Sequence, residues 1–579
     1  MKKILFLIMA LIASSPLATA KDKTVELCIL ETSDVHGSFF PYDFINRTPC
    51  KGSLARLSTY VKRERERFGD NLLLLDNGDI LQGQPTVYYY NFIDTAATHV
   101  TAAMMNYLRY DAGNMGNHDM ETGHAVYDRW IRQCNFPILG ANIIDTASGK
   151  PYLPPYSVFN RDGVKVAVIG LLTPSIPAWL PENLWAGLRF DDIEESARKW
   201  VKTVREKENP DVVVAIIHSG RDHTHTTGNW VENASQLVAE RVPGIDIVLF
   251  GHDHQFFCDS VKNADGSEVW MLNPANKAEK VASAHVSLTL RKGKVVKKEI
   301  SGRLVDISAL PVDEDFMAEF KPQYDTVDKF VSQKIGSISK TISTRNAFFG
   351  PSEFIDLTHS LQLAISGAEV SMAAPLSFDS SIKEGDILVS DMFKLYKYEN
   401  MLYTMRLSGR EIKNYLEMSY DLWTNQMTNA DDHLLLLKEV PGNGDDGARA
   451  LFQNFSYNFD SAAGIRYTVD VTKPRGEKIN ILSMADGSAF DMDKDYSVAV
   501  NSYRGNGGGG LLTEGAGIPA DKLNDRIIKA TDKDLRFYLM EYIKKTGTIC
   551  PTTLDLWKFI PEEWTVPAAK RDYKLLFKD

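Results

Sequence analysis

Four apolar runs in this chain stop where metal-binding side chains begin. Val25 to Leu30 runs into Ser33-Asp34-Val35-His36, and Leu72 to Leu75 ends at Asp76-Asn77-Gly78-Asp79. Val212 to Ile217 ends at His218, and Ile247 to Phe250 ends at Gly251-His252-Asp253-His254. Short unbroken apolar runs are strands buried on both faces, and α/β sheets of such strands carry their ligand-binding loops at one rim. The spacing therefore predicts that loops far apart in the chain meet in space. With Leu54 to Phe68 reading as a helix charged on one side, residues 24 to about 311 alternate strands with helices.

The chemistry of those loops is that of a two-cation site. Asp34 and His36, two apart on a turning backbone, point at one cation, and Asp79 is the natural bridge to another. In Gly116-Asn117-His118-Asp119 the asparagine is a good oxygen donor beside a carboxylate, and His118 then faces the substrate. Gly251-His252-Asp253-His254 supplies two imidazoles to two different cations. Two divalent ions roughly 3.5–4 Å apart clamp a phosphoryl oxygen and activate a bound water at neutral pH. Mixed His, Asp and Asn ligation suits Zn, Mn, Fe or Co about equally. His223 and His225 follow His218 in a polar loop and read as rim residues. His99, His124, His285, His359 and His433 have no motif around them and read as structural.

Residues 1–20 read as a cleavable secretory signal: Lys2-Lys3, an apolar run from Ile4 to Ala13, then Ala18-Thr19-Ala20. The run is shorter than the ~20 residues a spanning helix needs, and no later stretch reads as one. The expected location is the periplasm or another secreted compartment. Five cysteines (28, 50, 134, 258 and 550) are an odd count, so at least one thiol stays free there. A net charge of −11 with no basic block argues against a nucleic-acid polymer as partner.

A charged amphipathic segment, 313–340, reads as a connecting helix, Asp315 to Gln333. From 341 the pattern is α+β: a helix from Glu353 to Ile365 with Ser352 as N-cap, then strands Glu369–Ala373, Met401–Leu407, Arg466–Val471 and Tyr496–Val500. Asn443 to Gly447 reads as a flexible loop. Gly505 to Gly510 matches Gly-x-Gly-x-x-Gly, but no crossover helix follows it. Its glycines read as letting the backbone approach a bound base or ribose.

Taken together, these motifs resemble the secreted 5′-nucleotidase family, over almost the whole mature chain. The resemblance implies a four-layer α/β/β/α metallophosphoesterase sandwich (21–312), the connecting helix, and a 5′-nucleotidase-type α+β substrate-binding domain (341–579). It implies that Asp34, His36, Asp79 and His254 hold one metal, and that Asp79, Asn117, His218 and His252 hold the other. His118 then stabilises charge or protonates the leaving oxygen. The segments Lys397-Tyr398-Glu399-Asn400 through Ser419, Tyr457-Asn458-Phe459-Asp460 and Asn501-Ser502-Tyr503-Arg504-Gly505 are similar to the 2′,3′-cyclic-nucleotide 2′-phosphodiesterase/3′-nucleotidase branch. Two positions depart from the 5′-nucleotidase pattern. No arginine follows Ala373-Ala374-Pro375, and Glu121 stands where that group pairs its catalytic histidine with an aspartate, with Asp119 nearer. The implied substrates are 2′,3′-cyclic and 3′-nucleotides. The runner-up is a 5′-nucleotidase or nucleotide-sugar hydrolase, and the alternative of another class is a silent nucleoside-binding protein. Tyr457, Phe459 and Tyr503 are the candidates to stack on the base. Asn501 and Gly507 accompany them, and Arg504 is placed to meet phosphate or ribose.

Overall fold

A computed structural model describes residues 22–223, 226–227, 230–440 and 449–577. The segment 1–20 read as a signal, His225 and the segment 443–447 read as a loop fall outside these residues.

Two six-stranded sheets form the centre of the N-terminal half. One runs in the order Lys294–Asp306, Lys280–Arg291, Lys23–Thr32, Leu72–Asp76, Ala112–Asn114, Ile138–Leu139. The other runs Phe256–Lys262, Glu268–Pro274, Ile247–Phe250, Val212–His218, Val164–Leu172, Tyr156–Arg161. Residues of alternate parity on each strand make the two faces. Val25, Leu27 and Ile29 pack between the sheets against Val166, Val214 and Leu249. Cys28 and Leu30 face outward under the helices Leu54–Phe68 and Val100–Leu108. The second sheet is covered by Ile193–Lys207 and Ser235–Arg241. The result is four layers: helix, sheet, sheet, helix. Strands Lys23–Thr32, Leu72–Asp76 and Ala112–Asn114 pair in parallel, as do Val164–Leu172, Val212–His218 and Ile247–Phe250. Their C-terminal ends therefore share one rim.

The connection departs from the single helix expected over Asp315 to Gln333. It is two helices, Glu314–Glu319 and Lys321–Val331, broken at Phe320. Pro322 explains the break: proline has no N–H to donate and is tolerated only in a helix's first turn. Lys334–Ile338, inside the segment read as connecting, is a strand that pairs with Gly385–Leu388 and Thr548–Ile549.

The C-terminal half is built on a five-stranded sheet in the order Ser461–Ala463, Val370–Ala373, Asp495–Asn501, Met401–Ser408, Ile527–Asp534, with helices Glu353–Ser366 and Gly409–Trp423 against it. Ser352 sits at the N-cap position as expected, but its hydroxyl makes no capping bond. One buried apolar cluster runs from Phe40, Phe44 and Tyr88 of the N-terminal half through Phe320 and Phe330 to Phe354, Phe393 and Leu535, so the halves share a core. All five cysteines are free. No helix among the described residues is long and apolar enough to cross a membrane.

Candidate active site

The strand-end loops converge in two clusters. The ligand atoms of Asp34, His36 and His254 lie within 4.8 Å of one another, as do those of Asp79, His218 and His252. Asn117 Oδ1 joins the second cluster, 3.1 Å from His218 Nε2 and 2.8 Å from His252 Nδ1. Asp34, His36, Asp79, His252 and His254 all have φ between 49° and 74°. Side-chain-bearing residues rarely adopt that region, and such strain persists where the surrounding structure imposes it, typically at functional sites. Gly251 is required by proximity: a Cβ there would sit 1.9 Å from Ser33 Oγ and 2.5 Å from Asp34 Oδ2.

The donor set fits cations. His218 Nδ1 lies 2.7 Å from the Asn77 carbonyl and His36 Nδ1 3.1 Å from the Gln82 carbonyl. A carbonyl only accepts, so each Nδ1 carries the proton and each Nε2 presents a lone pair. His218 Nε2 then faces Asp79 Oδ2 and Asn117 Oδ1, each at 3.1 Å. Lone pairs aimed at lone pairs repel unless positive charge stands among them. Asp34 Oδ1 is buried with no hydrogen-bond partner, although His254 Nε2 lies 3.2 Å away. Burial, then the charge of His254, drops His36 to about 3, which keeps it in the neutral form that ligates. Burial would also lower His218, but Asp79 and Asp34 outweigh it and push it up to about 9. That shift expresses the same demand for positive charge at this cluster.

His118 stands beside the clusters, its ring centroid 5.5 Å from that of His36. Its Nδ1 is 2.6 Å from Glu121 Oε2, and its backbone N–H donates to Asp79 Oδ1 at 2.8 Å. Burial would lower its pKa, but the Asp79 charge and the Glu121 hydrogen bond raise it to about 10. Glu121 is thus the carboxylate that meets His118. Asp119 is not: it is fully buried and accepts from the backbone N–H groups of Asp79, Ile80, Leu81 and Gly116 at 2.8–2.9 Å. It holds the Asp79 loop in shape and leaves the reacting atoms to others.

Family comparison accounts for both halves. Residues 28–256 match the calcineurin-like phosphoesterase model, and residues 334–514 match that of the 5′-nucleotidase C-terminal domain. The chain joins a calcineurin-like phosphoesterase domain to a 5′-nucleotidase C-terminal domain. It is a hydrolase of phosphoric esters. A trifunctional nucleotide phosphoesterase, YfkN of Bacillus subtilis, is 28% identical over 96% of this chain, which spans only 41% of that longer protein. A 2′,3′-cyclic-nucleotide 2′-phosphodiesterase/3′-nucleotidase of Salmonella typhimurium is 28% identical over 95% of this chain and 91% of its own length. A Staphylococcus aureus structure, provisionally a 5′-nucleotidase, superposes with a TM-score of 0.74 at 21% identity, covering 92% of this chain and 99% of that one.

The phosphoesterase clusters open into a cavity of about 190 Å³ between the two halves. The N-terminal half lines it with Asn117, His118, Glu121, Trp179, Leu180 and His252, and the C-terminal half with Leu376, Tyr398, Asn400, Tyr457, Asn501 and Tyr503. Of the base-binding candidates, Tyr457, Tyr503 and Asn501 line the cavity. The two tyrosines meet edge to face, centroids 6.4 Å apart at 87°, so they do not form a parallel slot as they stand.

Three expected contacts are corrected. Phe459 is fully buried, stacked flat on Trp423 at 5.6 Å and edge-on to Phe452 at 5.3 Å, and offers no face to a base. Phe459→Ala should cost ~3–5 kcal/mol in denaturant unfolding and leave the KM for nucleotides unchanged. Arg504 is buried and pairs with Asp460, 3.1 Å away, while also donating to Gly508 O at 2.8 Å and to Tyr457 O. It ties the Tyr457 loop to the glycine-rich loop and does not line this cavity. Gly507 does not line the cavity, and the close approach in this loop is to protein: a Cβ on Gly508 would lie 2.5 Å from the Tyr503 ring.

Sequence reasoning passed over four residues near the reacting groups. Glu232 Oε1 lies 3.2 Å from His252 Nε2 and fixes that ring from behind, an arrangement usual for metal-binding histidines. Trp179 stacks over His252 at 5.6 Å, and Tyr398 lies parallel to His118. Asn400 follows Tyr398 in the cavity wall. Only Tyr398 and Asn400 carried a signal, through the Lys397-Tyr398-Glu399-Asn400 segment. His99 and His359 are buried on Asn91 and on Ser371 with Ser461, in structural roles. His223 is exposed.

Proposed function

We propose that this phosphoesterase hydrolyses 2′,3′-cyclic nucleotides and 3′-nucleotides with two divalent cations, after export across the inner membrane. The observation that carries the reading is the cavity. It brings His118, Asn117 and His252 into one enclosure with Tyr457 and Tyr503, a phosphate site and a nucleoside site contributed by opposite halves. Relatives named for 2′,3′-cyclic and 3′-nucleotide hydrolysis support this choice over a 5′-nucleotidase. The export proposal rests on the signal-like pattern of residues 1–20.

Asp34, His36, Asp79 and His254 would hold one cation, and Asp79, Asn117, His218 and His252 the other, with Asp79 shared. Bound there, such a pair supplies Lewis-acid polarisation of the phosphoryl group and activation of water. The protein does the rest. Asp119 fixes the Asp79 loop, and Glu232 fixes His252. His118 lines the cavity and is oriented through Nδ1 by Glu121, and its other nitrogen gives a proton to the departing sugar oxygen. Tyr457 and Tyr503 offer ring surface to the base. Stacking of this kind is sequence-tolerant and worth ~1–3 kcal/mol per base.

The test is a panel: purified protein, Zn, Mn, Fe or Co in turn, and 2′,3′-cyclic, 3′- and 5′-nucleotides side by side. Phosphate release confined to 5′-nucleotides would replace this reading with the 5′-nucleotidase one, and release from none would leave a nucleoside-binding protein. Tyr503→Ala should raise KM for nucleotides by about tenfold and hardly change it for a small aryl phosphate. Equal effects on both would remove the stacking role.

A further inference from the structure

Tyr398 comes from the C-terminal half, yet it stands at the catalytic histidine of the N-terminal half. Its ring lies 5° from parallel to the His118 imidazole, with centroids 6.4 Å apart. Tyr398 lines the same cavity as His118, Tyr457 and Tyr503. Among the described residues that hydroxyl has no hydrogen-bond partner.

The backbone on both sides of Tyr398 is held. Arg536, fully buried, donates to Tyr396 O at 3.1 Å, to Lys397 O at 2.7 Å and to Glu399 Oε1 at 2.9 Å. Its guanidinium packs 4.0 Å from the Phe393 ring centroid and 4.9 Å from that of Tyr88, a residue of the N-terminal half. Asn400 O accepts from Leu535 N at 2.9 Å. Removing a partner from a buried arginine is strongly destabilising. The anchor therefore fixes Tyr398 relative to His118 across the domain boundary.

A nucleotide with its phosphate at the clusters and its base at Tyr457 and Tyr503 puts its sugar in between, against Tyr398. We propose that Tyr398 determines specificity: its hydroxyl hydrogen-bonds the sugar hydroxyl adjacent to the ester being cleaved, so ribonucleotides are preferred over deoxyribonucleotides. This rests on the nucleotide reading above. It also orders two successive hydrolyses. Opening a 2′,3′-cyclic phosphate at the P–O2′ bond, with water supplying the oxygen to phosphorus and a proton to O2′, leaves a 3′-phosphate. The freed 2′-hydroxyl is the group Tyr398 then reads during the second cleavage.

The experiment compares kcat/KM for 3′-AMP and 2′-deoxy-3′-AMP on the parent protein and on Tyr398→Phe. Both substrates are measured on the same preparation, so any loss of folded protein cancels in the ratio. Sites that hydrogen-bond a substrate hydroxyl reject the analogue lacking it, so the parent should prefer 3′-AMP by about tenfold or more, and Tyr398→Phe should bring the two within about threefold. A parent protein with no preference, or a variant that keeps the parent's preference, overturns the assignment. A parent protein that cleaves neither substrate overturns the 3′-nucleotide reading on which this assignment rests.

Discussion

Asp79→Ala should release phosphate from every nucleotide about 10³-fold more slowly than the parent protein, well beyond the ~10–100-fold that changes behind the ligands cost. The carboxylate is 1% exposed, and its two oxygens serve different partners: Oδ2 lies 3.1 Å from His218 Nε2, and Oδ1 accepts from the backbone of His118. Removing it takes away the anion best placed to be shared by two cations and unpins the catalytic loop at the same time. Burial opposes its ionisation, but the surrounding histidines, His218 first, hold its pKa well below the usual carboxylate range. Asp79→Asn keeps the shape without the charge and should lose nearly as much. Two measurements check this: phosphate release, and bound metal by elemental analysis after dialysis, which should fall in both variants. If neither substitution, nor a chelator applied to the parent protein, slowed phosphate release, the two-cation reading would be abandoned.

The elements that position the site were readable because their signals are local. An unbroken apolar run such as Leu72 to Leu75, short and closed by Asp76-Asn77-Gly78, reads as a buried strand, and the residues after it read as a rim loop. What was not readable depends on partners distant in sequence. Arg504 beside a glycine-rich loop reads as an anion binder until Asp460, 44 residues earlier, is seen to hold it. Phe459 and Tyr457 are two apart, yet one is core and the other lines the cavity. Nothing in either side chain announces which face its loop will bury. Asp119 sits beside His118 in sequence, but four backbone N–H groups take up its carboxylate, a role set by the folded Asp79 loop. Glu232 has no motif, and its contact with His252 joins residues 20 apart in sequence. The break at Phe320 was, by contrast, available in the sequence. Pro322 forbids a single helix through that point, and the amphipathic pattern on either side masked it.

The second large effect separates proton transfer from architecture at His118. A nucleoside sugar oxygen is a poor leaving group and needs a proton as it departs, whereas p-nitrophenolate leaves without one. A residue that supplies that proton typically contributes 10²–10⁴-fold, so His118→Asn should lower kcat by about that factor on 3′-nucleotides and by only about tenfold or less on p-nitrophenyl phosphate. Glu121 meets His118 Nδ1 at 2.6 Å without reaching the opposite nitrogen. It therefore acts through the orientation and charge of the ring. Glu121→Gln keeps an oxygen that can accept from Nδ1–H but removes the charge that helps hold the imidazolium, so its losses should follow the same order and be smaller. Measuring kcat for a series of aryl phosphates of graded leaving-group pKa gives the decisive quantity. The slope against leaving-group pKa should be shallow in the parent protein, steepest in His118→Asn and intermediate in Glu121→Gln. If the three slopes were equal while the rates all fell, His118 would be holding the Asp79 loop through its backbone and ring packing, and the proton would have to come from elsewhere in the cavity.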